Sequence, residues 1–225
     1  MARYSRLETL STMKQIGLIP VFYNPDLEIV KNIAAACADG GARAIEFTNR
    51  GDRAIEVFTC LAAFRDAERP DMILGVGSVC DAATAGMYIN AGADFVVGPL
   101  LDEETAIVCN KRKIPYSPGC GSVTEIHKAH ALGVEICKVF PGAQVGGPAF
   151  VKAVKGPMPW TEIMPTGGVA PTEDSLKEWF DAGIACAGMG SKLITKKLVA
   201  TNDFAQLTQK VKEVIELIRT IRGNS

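Results

Sequence analysis

Histidine is scarce in this chain: His127 and His130 are the only two among 225 residues. Metal-dependent catalysis usually draws on several histidine or cysteine ligands. The two histidines lie three apart on an expected helix, so they share a face. Without the usual ligand partners they read as part of a polar outer surface, and no metal is expected. Cysteine pairs are missing as well. The seven cysteines are odd in number and show no C-x-x-C spacing. Several, including Cys37, Cys60 and Cys137, sit in apolar segments and are expected to be reduced thiols packed as small hydrophobes in a cytoplasmic protein. No apolar run approaches the roughly 20 residues that span a bilayer. The polar opening residues 1–8 lack the apolar core of a secretion signal, so no membrane association is expected. Charge of one sign is not in excess either. Lysine plus arginine total 24 against 25 acidic residues, a net charge of −1, which gives no electrostatic reason to expect a nucleic-acid partner. No G-x-G-x-x-G follows the first strand-like run, which weighs against a dinucleotide-binding fold. No linker or low-complexity stretch interrupts the chain. With 48% hydrophobic residues, a single domain over 1–225 is expected.

What is present is a repeat. Four segments share a small residue, a glycine and then an apolar strand: 39–48, 90–98, 131–140 and 181–190. Their glycines, Gly41, Gly92, Gly133 and Gly183, recur roughly every 40 to 50 residues, and each suits a helix C-terminus in left-handed conformation. Further strand-like runs lie at 16–23, 72–79, 114–119 and 162–169. Helix starts are legible between them. Asn24-Pro25 reads as a cap with a first-turn proline, 122–125 (SVTE) as a capping box, and Asp81, Asp102 and Asn202 as further caps. Eight strands alternating with helices predict an α/β protein with a parallel sheet, best solved as a (β/α)8 TIM barrel. Residues 3–15 form an extra N-terminal helix, and the apolar period from Phe204 to Ile218 forms the last one. An open doubly wound sheet is the alternative.

Lys138 lies inside an apolar strand, 134–141. Lysine is almost never fully buried without a partner. Burial disfavours its charged form, and a neutral amine is a nucleophile toward ketones. The plainer reading is a strand-end lysine that snorkels to water. Alternation places Ile136, Lys138 and Phe140 on one side of their strand, and Glu46, Thr48 and Arg50 on one side of theirs. If both sides face inward, amine, acid and base converge; otherwise Glu46 and Arg50 form a structural ion pair. In such barrels chemistry sits at the carboxy-terminal strand ends, so Asp94, Glu135 and Glu162, at strand beginnings, belong to the opposite, structural end. The runs 164–169 (MPTGGV) and 188–192 (GMGSK) end the last two strands, where glycine loops often hold phosphate. Tight turns explain them equally well. Lys192 could pair with such an anion, and Trp160 reads as a loop or subunit contact.

The runs IEFTNR (45–50), GVGSV (75–79), GP (98–99), PG (118–119), CKVFP (137–141), PTGGV (165–169) and GS (190–191) occur in that order. Together they resemble the 2-keto-3-deoxy-6-phosphogluconate aldolase / 4-hydroxy-2-oxoglutarate aldolase family, over nearly the whole chain after the first helix. The resemblance implies a class I aldolase on a (β/α)8 barrel, a homotrimer without metal or cofactor, acting on a small 2-keto acid. It implies that Lys138 forms the Schiff base and Glu46 is the general acid/base. Arg50 and Ser78 would bind the pyruvate carboxylate, with Pro99 and Phe140 as apolar wall. Thr166, Gly167, Gly168 and Ser191, the last beside Gly190, would serve the distal hydroxyl and phosphate. Thr166 points to the gluconate epimer, since relatives preferring the galactonate type carry an apolar residue there. Three departures bear on substrate preference. Ser78 stands in place of threonine, FYNP (22–25) lacks basic residues found in some relatives, and 142–147 lacks a common acidic residue. Alternatives are a phosphogalactonate-type aldolase, another phosphate-binding barrel such as a thiamine-phosphate or tryptophan-pathway enzyme, and a non-catalytic metabolite sensor.

Overall fold

In the computed structural model, residues 2–223 are described. The chain opens with α1 (Arg6–Ile16), β1 (Leu18–Phe22), α2 (Leu27–Asp39) and β2 (Ala44–Thr48). It continues through α3 (Ala54–Glu68), β3 (Ile73–Gly77), α4 (Ala82–Asn90), β4 (Phe95–Val97) and α5 (Glu103–Arg112). The next strand run is split into β5 (Tyr116–Ser117) and β6 (Gly119–Cys120). Then follow α6 (Val123–Ala131), β7 (Ile136–Val139), α7 (Gly147–Lys155) and β8 (Glu162–Pro165). The chain ends with α8 (Glu173–Asp181), β9 (Ala187–Met189), α9 (Lys196–Ala200) and α10 (Phe204–Gly223).

All strand pairs are parallel. One sheet has the order β5-β4-β3-β2-β1-β9 and the other β6-β7-β8. The division falls at Pro118, which separates β5 from β6 and carries no N–H for a ladder. An isolated parallel bridge between Thr166 and Gly188 links the ends of β8 and β9. The expected strand–helix alternation is therefore present, with α9 added before the last helix.

Local chemistry explains most boundaries. Gly41, Gly92, Gly133 and Gly183 all take positive φ just past α2, α4, α6 and α8, as the repeat predicts. Asp81, Asp102 and Ser122 cap their helices by accepting backbone N–H groups three residues on. The capping reading needs correction elsewhere. Asp26, not Asn24-Pro25, caps α2, because the Asn24 side chain is engaged by the Asp26 N–H. Before α10, Asp203 accepts the Gln206 N–H, while Asn202 is a left-handed turn residue at φ 53°. At 122–125 the Glu125 carboxylate takes the Gly121 N–H and the Ser122 hydroxyl. The reciprocal capping box belongs instead to Ser5 and Glu8 at the start of α1. Cys37 and Cys137 are buried as expected, but Cys60 is exposed on α3.

Two apolar clusters form the core. The larger lies between strands and helices, and α10 contributes Leu207, Val211, Val214, Ile215 and Ile218 to it. The smaller takes Ile19, Ala44, Ile73, Phe95, Val97, Ile136, Met164 and Cys186 from the strand segments and adds Leu10 and Met13 from α1. Each fully buried large apolar side chain is worth roughly 1.5–3 kcal/mol. The N-terminal helix thus covers one end of the strands, and that end is fastened by charge. Arg6 pairs with Glu135 and Lys14 with Glu162. Arg222 near the end of α10 donates to the Lys14 carbonyl at 2.7 Å. Asp94 is wholly buried and accepts from Arg65, from the Leu74 N–H, and from the Arg3 and Tyr4 N–H groups. The three strand-start acids therefore serve structure, as their position predicts.

Arg65 is itself 1% exposed, so its removal leaves a buried carboxylate without its counter-charge. Arg65→Met is expected to lower unfolding free energy by about 3–5 kcal/mol, measured by urea denaturation. A loss below about 1 kcal/mol would show that the backbone donors alone satisfy Asp94.

Candidate functional site

Strand alternation sets the first two side chains. On β2, Ala44 belongs to the smaller apolar cluster, so Glu46, two residues on, is directed to the same face one layer further along. On β7, Ile136 belongs to that cluster and Lys138 follows in the same way. Glu46 is 1% exposed and Lys138 5%. Glu46 lies opposite Gly75 of β3, and Lys138 lies between Gly119 of β6 and Met164 of β8. Gly77 is where space runs out: a Cβ there would overlap Glu46 Oε1. Glu46 Oε2 is buried and has no hydrogen-bond partner among the described residues.

An isolated carboxyl in such a place resists ionisation. Burial raises the Glu46 pKa, and the nearby positive charges of Lys138 and Arg50 only partly offset this. Burial likewise lowers the Lys138 pKa; Glu46 acts to raise it and Arg50 lowers it further. The two groups are thus moved toward one another, each toward its neutral form. The Lys138 ammonium also stands 4.8 Å from the centre of the Phe140 ring, close enough for cation–π attraction.

The surrounding loops supply polar groups. The Arg50 Nε–H donates to Ser78 Oγ at 3.2 Å. No Glu46–Arg50 ion pair forms within salt-bridge distance, so the structural-pair alternative does not hold. Ser78 has φ 61°, a left-handed backbone that costs a non-glycine residue energy and is found preferentially at functional sites. The Thr48 hydroxyl donates to the Phe22 carbonyl, which joins β2 to β1 beside the site.

A cavity of about 770 Å³ opens over these loops. Arg50, Phe140, Thr166, Gly167, Gly168, Gly190, Ser191 and Lys192 all line it. The structure therefore gathers most of the expected site residues around one space. Lys138 and Glu46 do not line it; they are buried next to Phe140 and Arg50, which do. Ser78 joins through its bond to Arg50. Pro99 does not line this cavity either; its carbonyl packs where a Cβ at Gly119 would sit, and Gly119 is the β6 partner of Lys138. Thr166 Oγ1 is buried without a hydrogen-bond partner, and Gly188 leaves it room. Gly167 and Gly168 take φ 86° and 97°, so their turn requires glycine whatever else it does. His127 and His130 lie on α6, away from this wall.

Sequence reasoning missed Tyr23, Asn24, Lys196, Val199 and Asn202, which complete the wall. Lys196 and Val199 come from α9, whose five residues are too few to leave a periodic signal. Tyr23 was noted only for lacking charge, and Asn24 for that and as a helix cap.

These features meet their counterparts in known proteins. The family model described as "KDPG and KHG aldolase" matches residues 9–210. A 2-dehydro-3-deoxy-phosphogluconate aldolase of Pseudomonas aeruginosa is 32% identical, covering 94% of this chain and 93% of its own. The enzyme of that name from Haemophilus influenzae is 28% identical over 96% and 99%. Among solved structures, KDPG aldolase of Legionella pneumophila, with pyruvate captured as a covalent carbinolamine, superimposes with a TM-score of 0.83 at 28% identity, over 92% and 97% of the two chains. The class so defined is that of the aldolases, lyases that break carbon–carbon bonds. Within it, the chain belongs to the KDPG and KHG aldolase family.

The balance of charges around Lys138 gives a direct test. In Glu46→Gln the one influence that raises the lysine pKa is gone, while burial and Arg50 remain. The Lys138 pKa is expected to fall further. Following the pH dependence of its modification by an amine-directed reagent measures this. A shift to higher pH would contradict the assigned balance.

Proposed function

We propose that the chain is a class I, Schiff-base aldolase that cleaves 2-keto-3-deoxy-6-phosphogluconate to pyruvate and glyceraldehyde 3-phosphate. It would also cleave 4-hydroxy-2-oxoglutarate to pyruvate and glyoxylate. The observation that carries this reading is the buried Lys138 amine beside the buried Glu46 carboxyl, each moved toward its neutral form by burial.

In the proposed reaction the neutral Lys138 Nζ adds to the C2 ketone of the substrate. Loss of water leaves a protonated imine, an electron sink adjacent to C3. The Glu46 carboxylate takes the proton of the C4 hydroxyl, and the C3–C4 bond breaks. The aldehyde departs, and its bonding electrons remain as the enamine. Glu46 returns a proton to C3, and water hydrolyses the imine to pyruvate and free lysine. A carboxyl with a raised pKa suits both directions of transfer. Arg50, held by Ser78, is assigned to the keto-acid carboxylate, a pairing that guanidinium geometry favours. Phe140 supplies apolar wall beside the amine. Pro99 is assigned the same role. Thr166, Gly167, Gly168, Gly190 and Ser191 are assigned to the distal hydroxyl and phosphate, and Thr166 favours the gluconate epimer. No metal or cofactor takes part in this scheme.

The reading extends to architecture. We take the two parallel sheets as one closed (β/α)8 barrel in a single domain. The Thr166–Gly188 bridge, the shared run on either side of Pro118 and the smaller apolar cluster as its interior support this. A homotrimer is proposed from the family resemblance, with exposed Met87, Leu100, Ile107 and Val123 as available apolar surface. Seven unpaired cysteines fit a reducing, cytoplasmic setting.

Borohydride reduction in the presence of pyruvate is expected to add a pyruvate-derived mass to Lys138 alone, and Lys138→Ala to lower retro-aldol kcat by about three orders of magnitude or more. Labelling at Lys192, or full activity in Lys138→Ala, would overturn the assignment. Mass spectrometry of the labelled peptides and steady-state kinetics decide it.

Ser191 gives the test of the distal site, because it is exposed and tolerates substitution better than the strained glycines. Ser191→Asp is expected to reduce kcat/KM for the phosphorylated six-carbon acid at least tenfold more than for 4-hydroxy-2-oxoglutarate, about 1.4 kcal/mol of selective loss. Equal loss on both would assign Ser191 to structure.

A further inference from the structure

The cavity wall carries three cationic side chains, Arg50, Lys192 and Lys196, and no carboxylate. Arg50 is tied to Ser78 at one side. The two lysines come from the segment after β9. The Lys192 ammonium donates only to the Gly168 carbonyl, at 3.3 Å. Its own backbone carbonyl is held by Lys210 at 2.8 Å, which anchors the loop to α10. Lys196 begins α9 and has no hydrogen bond or ion pair among the described residues. The wall therefore presents an uncompensated positive field with two poles.

We propose that Lys192 and Lys196 set the preference of this enzyme for a substrate whose far end bears a phosphate dianion. The proposal rests on the aldolase reading above and adds two residues to it. A carbonyl is a weak partner for an ammonium, and a phosphate oxygen next to Gly168 is a stronger one, because ionised donor and acceptor reinforce each other. Lys192 is already positioned at the Gly167–Gly168 turn and needs only to exchange acceptors. Lys196 adds a second charge to the same wall. The absence of basic residues in the segment 22–25 fits this arrangement: the β1–α2 loop offers Tyr23 and Asn24 to the cavity, and the charge comes from the segment that follows the neighbouring strand β9.

The neighbouring Lys197 supplies a control. It lies on the same short helix but does not line the cavity, so removing it changes net charge equally without touching the site. The measurement is kcat/KM for 2-keto-3-deoxy-6-phosphogluconate relative to its dephosphorylated counterpart. Lys196→Met is expected to lower that ratio by about five- to thirtyfold, and the double variant Lys192→Met/Lys196→Met to lower it further. Lys196→Arg should restore most of it, and Lys197→Met should leave it unchanged. A parallel titration with inorganic phosphate, followed by ³¹P NMR, reads binding without turnover and should weaken in the double variant. An unchanged ratio and unchanged phosphate binding in that variant, an equal loss on both substrates, or an equal effect of Lys197→Met would overturn the proposal. Pyruvate trapping on Lys138 separates the two levels. If trapping succeeds while the ratio does not move, the lysine proposal alone fails. If trapping fails, the Schiff-base reading falls, and the phosphate titration still decides whether the two lysines hold an anion.

Discussion

An amine and a carboxyl share one buried interior here, and the rest of the site is arranged around that constraint. Neither group is neutralised by a hydrogen-bonded partner. Glu46 keeps one oxygen without a partner, and the Lys138 ammonium stands over the Phe140 ring, with the Glu46 charge felt nearby but not hydrogen-bonded to it. In water their ordinary pKa values lie about six units apart. Burial moves them toward each other from opposite sides, each toward its neutral form, as the proposed amine nucleophile and proton carrier require. An intimate ion pair would have cancelled this effect, because mutual attraction would hold both groups charged.

The fold meets the constraint with strand registry and with missing side chains. Ala44 and Ile136 put the reactive faces of β2 and β7 above an apolar layer, and α1 covers that layer from the far end. Gly77 vacates the volume that Glu46 occupies, and Gly188 does the same for Thr166. A methyl group at either position would displace the side-chain oxygen beside it. Glycine in a strand weakens the sheet through entropy and lost packing. At Gly77 the return for that loss is a buried carboxyl held in a fixed place.

Much of this was legible in the sequence because it rests on period. Alternation identified the shared faces of Glu46 and Lys138, the recurrent glycines marked the helix ends, and strand polarity sorted Asp94, Glu135 and Glu162 from the site. What escaped depends on contacts between segments far apart in the chain. The caps at Asp26 and Asp203 won over Asn24 and Asn202 because of local hydrogen bonding that the residue types alone do not rank. The break at Pro118 depends on which carbonyls and N–H groups face one another across β5 and β6. The α9 wall was invisible because five residues carry no pattern. Pro99 was assigned to the site by motif; its carbonyl packs on Gly119, beside the strand of Lys138 but outside the cavity. Resemblance transfers residue identity more readily than loop conformation.

The two ends of the strands hold similar residues to opposite purpose. At the amino-terminal end Asp94 is as buried as Glu46, but it accepts from a guanidinium and three backbone N–H groups. Every lone pair there has a donor, and the pair with Arg65 resists removal of either member. At the other end Glu46 and Lys138 are left short of partners, a condition that costs stability and is retained where reactivity requires it. Relieving that condition is therefore expected to trade one property for the other. An isosteric apolar residue at position 46 removes a buried, poorly satisfied carboxyl and so favours folding, yet it removes the group proposed to carry the proton. The same substitution at Asp94 leaves four donors facing nothing. Burial alone does not distinguish these two acids; the donors around them do.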